Sequence, residues 1–140
     1  MSTLSTNNKI IKNPNFLLIL GFIGCVLVML GCFLPIIGSF GVLSSSQLSY
    51  FDNNAEAFSK IINGVAHGKI VFFFATLTLI SFLSKQFKIA ILFNLIVMSI
   101  CSYDFYSIFT AFGLNSLGIA WLILYMGSIL ILYTSSVIKK

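Results

Sequence analysis

FLLILGFIGCVLVMLGCFLPII, residues 16–37, contains no charged side chain. A helix of about 22 residues rises ~33 Å, enough to cross a hydrocarbon core of ~30 Å. Pro35 lies near the far end of the run, where a helix exit is cheap. This stretch predicts a first membrane span, and the rest of the chain reads in the same way. Of the 140 residues, 59% are apolar and only 8% charged, against roughly 25% charged in a soluble domain. The chain is predicted to be an all-α integral membrane protein embedded in a lipid bilayer.

Around that span the punctuation is sparse. Residues 1–15 are polar and read as a tail. Further apolar runs predict spans at about 66–84, 87–106 and 117–137, leaving 138–140 as a second tail. Residues 84–88 are too short a link for anything but an antiparallel hairpin of spans two and three. Asp104 interrupts span three, so its exit is placed near residue 106, and Gly113-Leu114-Asn115-Ser116 reads as a turn. The expected architecture is a four-helix bundle forming one membrane domain over residues 16–137.

Residues 39–64 form the one long polar stretch after the tail. Within it Leu48, Phe51, Ala55, Phe58 and Ile62 recur at helical spacing, with Glu56 and Lys60 paired on the polar side. This pattern predicts an amphipathic outer helix between spans one and two, with Phe51 and Phe58 on its apolar stripe. It is too short and too polar to span.

Lysine placement sets the orientation. Lys9, Lys12, Lys85, Lys88, Lys139 and Lys140, six of the eight basic residues, fall on one side if the chain crosses four times. The positive-inside rule then puts both termini in the cytoplasm, with plasma membrane as the expected location. Trp121, Tyr103 and Tyr106 fall toward the outer interface and Tyr133 toward the inner one. A signal peptide fits poorly because the first apolar run is too long. Met29-Leu30-Gly31-Cys32 resembles a lipoprotein cleavage site, but the apolar sequence continues beyond it.

Candidate functional positions fall into two groups. Gly24, Gly31 and Gly38 recur every seven residues, and Ala120 and Gly127 form a similar stripe in span four. Small faces let helix backbones approach closely in lipid, so these read as packing seams within the chain or against a partner. The polar candidates are Asn94, Asp104 and His67. An amide in span three needs a hydrogen-bond partner, for which Thr76, Thr78 and Ser81 are the expected choices. Asp104 is expected at the outer interface where span three ends, near His67 or Lys69.

Several chemistries are excluded by what is missing. Nucleic-acid binding needs a dense basic patch, and this chain has no arginine. One histidine, with no H-E-x-x-H or paired-ligand spacing, supplies neither a catalytic nor a metal constellation, and no cofactor motif is present. The three cysteines sit in apolar runs and form no framework, although Cys32 and Cys101 share a level. Small multidrug antiporters, glutathione-using membrane enzymes and claudin-like proteins each require residues absent here: an acid in the first span, arginines, and a W-x-x-W with cysteines.

The segments Gly31-Cys32-Phe33-Leu34-Pro35, residues 44–49, residues 85–88 and Gly118-Ile119-Ala120-Trp121 carry a resemblance. The chain resembles a loose group of small uncharacterised bacterial membrane proteins with a glycine-rich first span, a serine-rich outer loop and a lysine-marked hairpin. The resemblance implies a four-span fold and no activity. The expected role is non-enzymatic: contact with another membrane protein or with a second copy, as an accessory subunit or an immunity or exclusion protein. An oligomeric transporter or pore is the alternative, and a membrane enzyme with an outer polar site is the third reading.

Overall fold

The computed structural model describes residues 13–37, 48–49, 67–114 and 117–138. These hold four helices and one short strand pair: α1 (Pro14–Gly31), β1 (Pro35–Ile37), β2 (Leu48–Ser49), α2 (His67–Leu83), α3 (Phe87–Phe112) and α4 (Ala120–Ile138). α1, α4 and residues 87–110 of α3 are long and apolar enough to cross a membrane. The 17-residue α2 is apolar but shorter, rising about 25 Å. Together these helices make the protein membrane-embedded.

Local chemistry explains the ends. The Asn13 side chain caps α1 by accepting from the Asn15 N–H at 3.1 Å, and Pro14 occupies the first turn, where no N–H is needed. α1 stops at Gly31, earlier than the apolar run suggests. Residues 32–34 tighten into i→i+3 bonds. Pro35 then bars Leu34 from helical backbone, and the chain leaves as a strand. β1 pairs antiparallel with β2, setting Pro35 opposite Ser49 and Ile37 opposite Leu48. Leu48, expected to open the amphipathic helix, is therefore in a strand. Phe51, Phe58 and the rest of that pattern lie outside the described residues, as does Gly38.

The α2–α3 hairpin is closed by paired bonds, Gln86 N–H to the Ser81 carbonyl at 2.9 Å and Lys85 N–H to the Phe82 carbonyl at 3.0 Å. This is a Schellman closure, whose penultimate residue takes left-handed backbone. Lys85 sits there at φ 59°, where glycine would be unstrained. Phe82 and Phe87 meet edge to face at 5.4 Å across the turn. Lys85→Gly is expected to raise stability by about 1 kcal/mol, read from reversible unfolding in a neutral detergent. An unchanged or lowered stability would show that the turn carries no strain.

α3 runs past Asp104 without a break and ends at Gly113, whose φ of 78° supplies the left-handed cap. The exit predicted near residue 106 is about a turn and a half too early. The charge at Asp104 does not mark the end of the helix because it points inward: the side chain is fully buried.

The helices pack in a ring, α1 against α2 and α4, and α3 against α2 and α4, with α1–α4 the most extensive contact. Val28, Val71, Phe82, Val97, Leu124 and Ile131 meet in the interior. Around the outside, Ile19, Phe73, Leu92 and Ile129 are each more than half exposed. Several buried side chains are polar: Thr78, Ser81, Asn94, Asp104, Ser128, Thr134 and Ser135. Aliphatic outside with hydroxyls and amides inside is the arrangement lipid favours and water opposes.

Candidate functional site

The small-residue stripes of α1 and α4 face each other. A Cβ placed on Gly24 would lie 2.8 Å from the Gly127 carbonyl oxygen, and one on Gly127 would lie 2.7 Å from the Gly24 carbonyl oxygen. Backbone therefore touches backbone at this crossing. A Cβ on Gly31 would instead meet the Leu124 side chain at 2.7 Å. Ala120 is fully buried in the same interface region. The structure thus brings Gly24, Gly31, Ala120 and Gly127 into intramolecular packing, with no room left at Gly24 and Gly127 for a helix from outside.

Asn94 lies elsewhere than expected. Its amide Nδ2 donates to the Ser128 carbonyl of α4 at 3.0 Å, not to α2. Two of the three expected α2 hydroxyls bond within their own helix: Thr76 donates to the Phe72 carbonyl at 2.9 Å and Thr78 to the Phe74 carbonyl at 2.8 Å. The Asn94 Oδ1 and Ser135 Oγ atoms are buried without a hydrogen-bond partner. One bond gained and one acceptor left dry nearly cancel. Asn94→Leu is expected to shift unfolding stability by less than about 1 kcal/mol. A loss above about 2 kcal/mol would mean that the amide is worth more than this geometry allows.

Asp104 is wholly buried on α3, about 25 Å along the helix from Phe87. It was expected at the outer interface where span three ends; it is enclosed among the helices, about two turns before α3 ends. His67 is the first residue of α2, but its side chain lies outside the described residues. Trp121 also turns inward, meeting Phe105 edge to face at 5.4 Å, where a lipid-facing belt position was expected. Tyr103, Tyr106 and Tyr133 do face outward.

Cys25, Cys32 and Cys101 are buried among apolar neighbours and none is in a disulfide. Cys32 and Cys101 are not bridged. Cys32 spends its weak S–H donor on the Val28 carbonyl at 3.5 Å. Among the described residues, no group of three or more His, Cys, Asp or Glu side chains converges to hold a metal.

A feature the sequence reading passed over is the outward face of α3. Ser99, Ser102, Tyr103, Tyr106 and Thr110 are all exposed along it, beyond the aliphatic Leu92 and Leu95. Ser99 donates to the Leu95 carbonyl and Thr110 to the Tyr106 carbonyl, at 2.8 and 2.9 Å. Ser102 and the Tyr125 hydroxyl are 3.0 Å apart. The spacing of three, four and seven was legible in the sequence, but hydroxyls carry no charge and do not interrupt an apolar run.

Compared with family models, with curated proteins and with solved structures, the chain matches none.

Proposed function

We propose that this is a small, non-enzymatic, four-span membrane protein that works by contact with another membrane protein or with a second copy of itself. In this reading α2 completes a fourth span, with Lys69 reaching outward to the interface. Both termini lie in the cytoplasm of a bacterial plasma membrane, by the bias of six of eight lysines. The observation that carries the proposal is the hydroxyl stripe of α3. Its small serines allow close helix approach, Ser102 also ties the stripe to Tyr125 of α4, and the exposed Tyr106 presents its ring and hydroxyl to the outside. An accessory subunit and an immunity or exclusion protein against a membrane-active toxin or phage both act through such a face.

The test is a photo-cross-linker placed at Tyr106 and, as control, at Ile19 in native membranes. A discrete protein adduct from Tyr106 alone, lost on Ser102→Leu, is the expected result. Lipid adducts alone at both positions would overturn the reading.

A transporter reading has one support of its own. Buried Asp104 and the unpartnered Asn94 Oδ1 are polar groups of the kind that mark a translocation path. The sealed Gly24–Gly127 crossing argues against a lumen between α1 and α4, so this reading needs an oligomer.

A further inference from the structure

We propose that the α2–α3 hairpin binds the phosphate of an anionic phospholipid. A concavity of about 380 Å³ opens there, lined by Lys85, Gln86, Phe87, Lys88 and Ile89. That volume lies within the roughly 300–1,000 Å³ typical of small-ligand sites. Its lining is mostly apolar, with Phe87, Ile89 and the lysine stems suited to a glycerol and acyl region, and the exposed Lys85 and Lys88 side chains stand beside it for a headgroup.

Among the described residues no acid lies beside this charge. Both lysines are exposed, and the first turn of α3 contains no acid. Among the described residues the only acid is Asp104, more than four turns along α3. Gln86 caps α3 without a side-chain hydrogen bond, although its carbonyl already accepts from the Ile89 and Ala90 N–H groups at 3.0 Å.

The hairpin is also rigid. The Schellman bonds and the Phe82–Phe87 contact fix its backbone, holding Lys85 in left-handed geometry that glycine adopts at less cost. A lysine kept there places a charge at the expense of the turn. Phospholipid suits the concavity better than free phosphate because exposed Leu83 and Ile89 carry an apolar surface away from it. This inference rests on membrane embedding and is independent of the partner face on α3.

The test uses the full chain in a neutral detergent, with lipid adducts counted by native mass spectrometry. The probes are phosphatidylglycerol, phosphatidylcholine of the same acyl chains, and inorganic phosphate. Phosphatidylglycerol is expected to bind in preference to phosphatidylcholine. The pair Lys85→Gln and Lys88→Gln should weaken that binding about 30-fold, from about fivefold for each lysine. Lys85→Arg with Lys88→Arg should keep it, and Lys69→Gln, at the opposite end, should leave it unchanged. Equal binding of the two lipids, full binding by the glutamine pair, or an equal loss in Lys69→Gln would overturn the site. So would displacement of the lipid by equimolar inorganic phosphate.

Discussion

Gly127→Ala is expected to destabilise the bundle by about 2–3 kcal/mol, the upper part of the range for overpacking a well-filled interior. The added methyl would stand 2.7 Å from the Gly24 carbonyl oxygen, 2.8 Å from Val28 Cγ2 and 3.0 Å from the Val28 nitrogen. Two of those three obstacles are backbone, so relief requires α1 and α4 to move apart. Separation then forfeits dispersion contacts along the whole interface, and in lipid no hydrophobic effect between helices offsets the loss. Gly24→Ala meets the Gly127 carbonyl oxygen at 2.8 Å and is expected to cost a similar amount.

Gly31→Ala supplies the contrast. Its nearest neighbours are Leu124 Cδ2 and Cγ, with the Leu124 nitrogen at an ordinary 3.5 Å, so one side chain must shift while the backbones need not part. A cost of about 1 kcal/mol or less is expected there. The double variant Gly24→Ala with Gly127→Ala should cost less than the sum of its parts, because one separation of the helices relieves both clashes. Unfolding of all four proteins in one detergent measures this. Equal losses at Gly31 and Gly127 would mean that the crossing is not backbone-limited.

The seven-residue glycine spacing was plain in the sequence, because periodicity reports which residues share a face. It does not report which helix that face meets. α2 and α3 were legible as neighbours through their short hairpin, whereas the α1–α4 contact joins the first and last helices of the ring and leaves no local signal. The same gap misplaced Asn94: a buried amide demands a partner, but two of the three α2 hydroxyls that looked available were bound to carbonyls of their own turn. The end of α1 was misread for a different reason. Residues 16–37 are apolar throughout, and hydropathy cannot separate helix from strand; the restriction that Pro35 places on Leu34 can. Asp104 was read as an exit signal because charge ordinarily leaves the hydrocarbon, a rule that lapses when a carboxylate is enclosed by protein.

That enclosure makes Asp104 the most informative residue to change. Asp104→Ala is expected to cost about 2–5 kcal/mol, since emptying a fully buried side-chain site leaves a cavity that the packed helices close only in part. Asp104→Asn keeps the shape and one acceptor, and a smaller loss of about 1–3 kcal/mol is expected. Stability alone does not distinguish a structural carboxylate from a transporting one, so the second readout is the Tyr106 cross-link, measured well below the unfolding midpoint. Tyr106 faces outward on α3 while Asp104 faces inward. A contact protein should therefore retain its cross-linked partner in folded Asp104→Asn, because the outward stripe is unchanged. If Asp104→Asn is as stable as the parent within a few tenths of a kcal/mol yet abolishes the cellular phenotype, the buried charge is not there for the fold, and the transport reading displaces the contact reading. If instead the phenotype falls only in step with the folded fraction, Asp104 serves the bundle and the function lies on its surface.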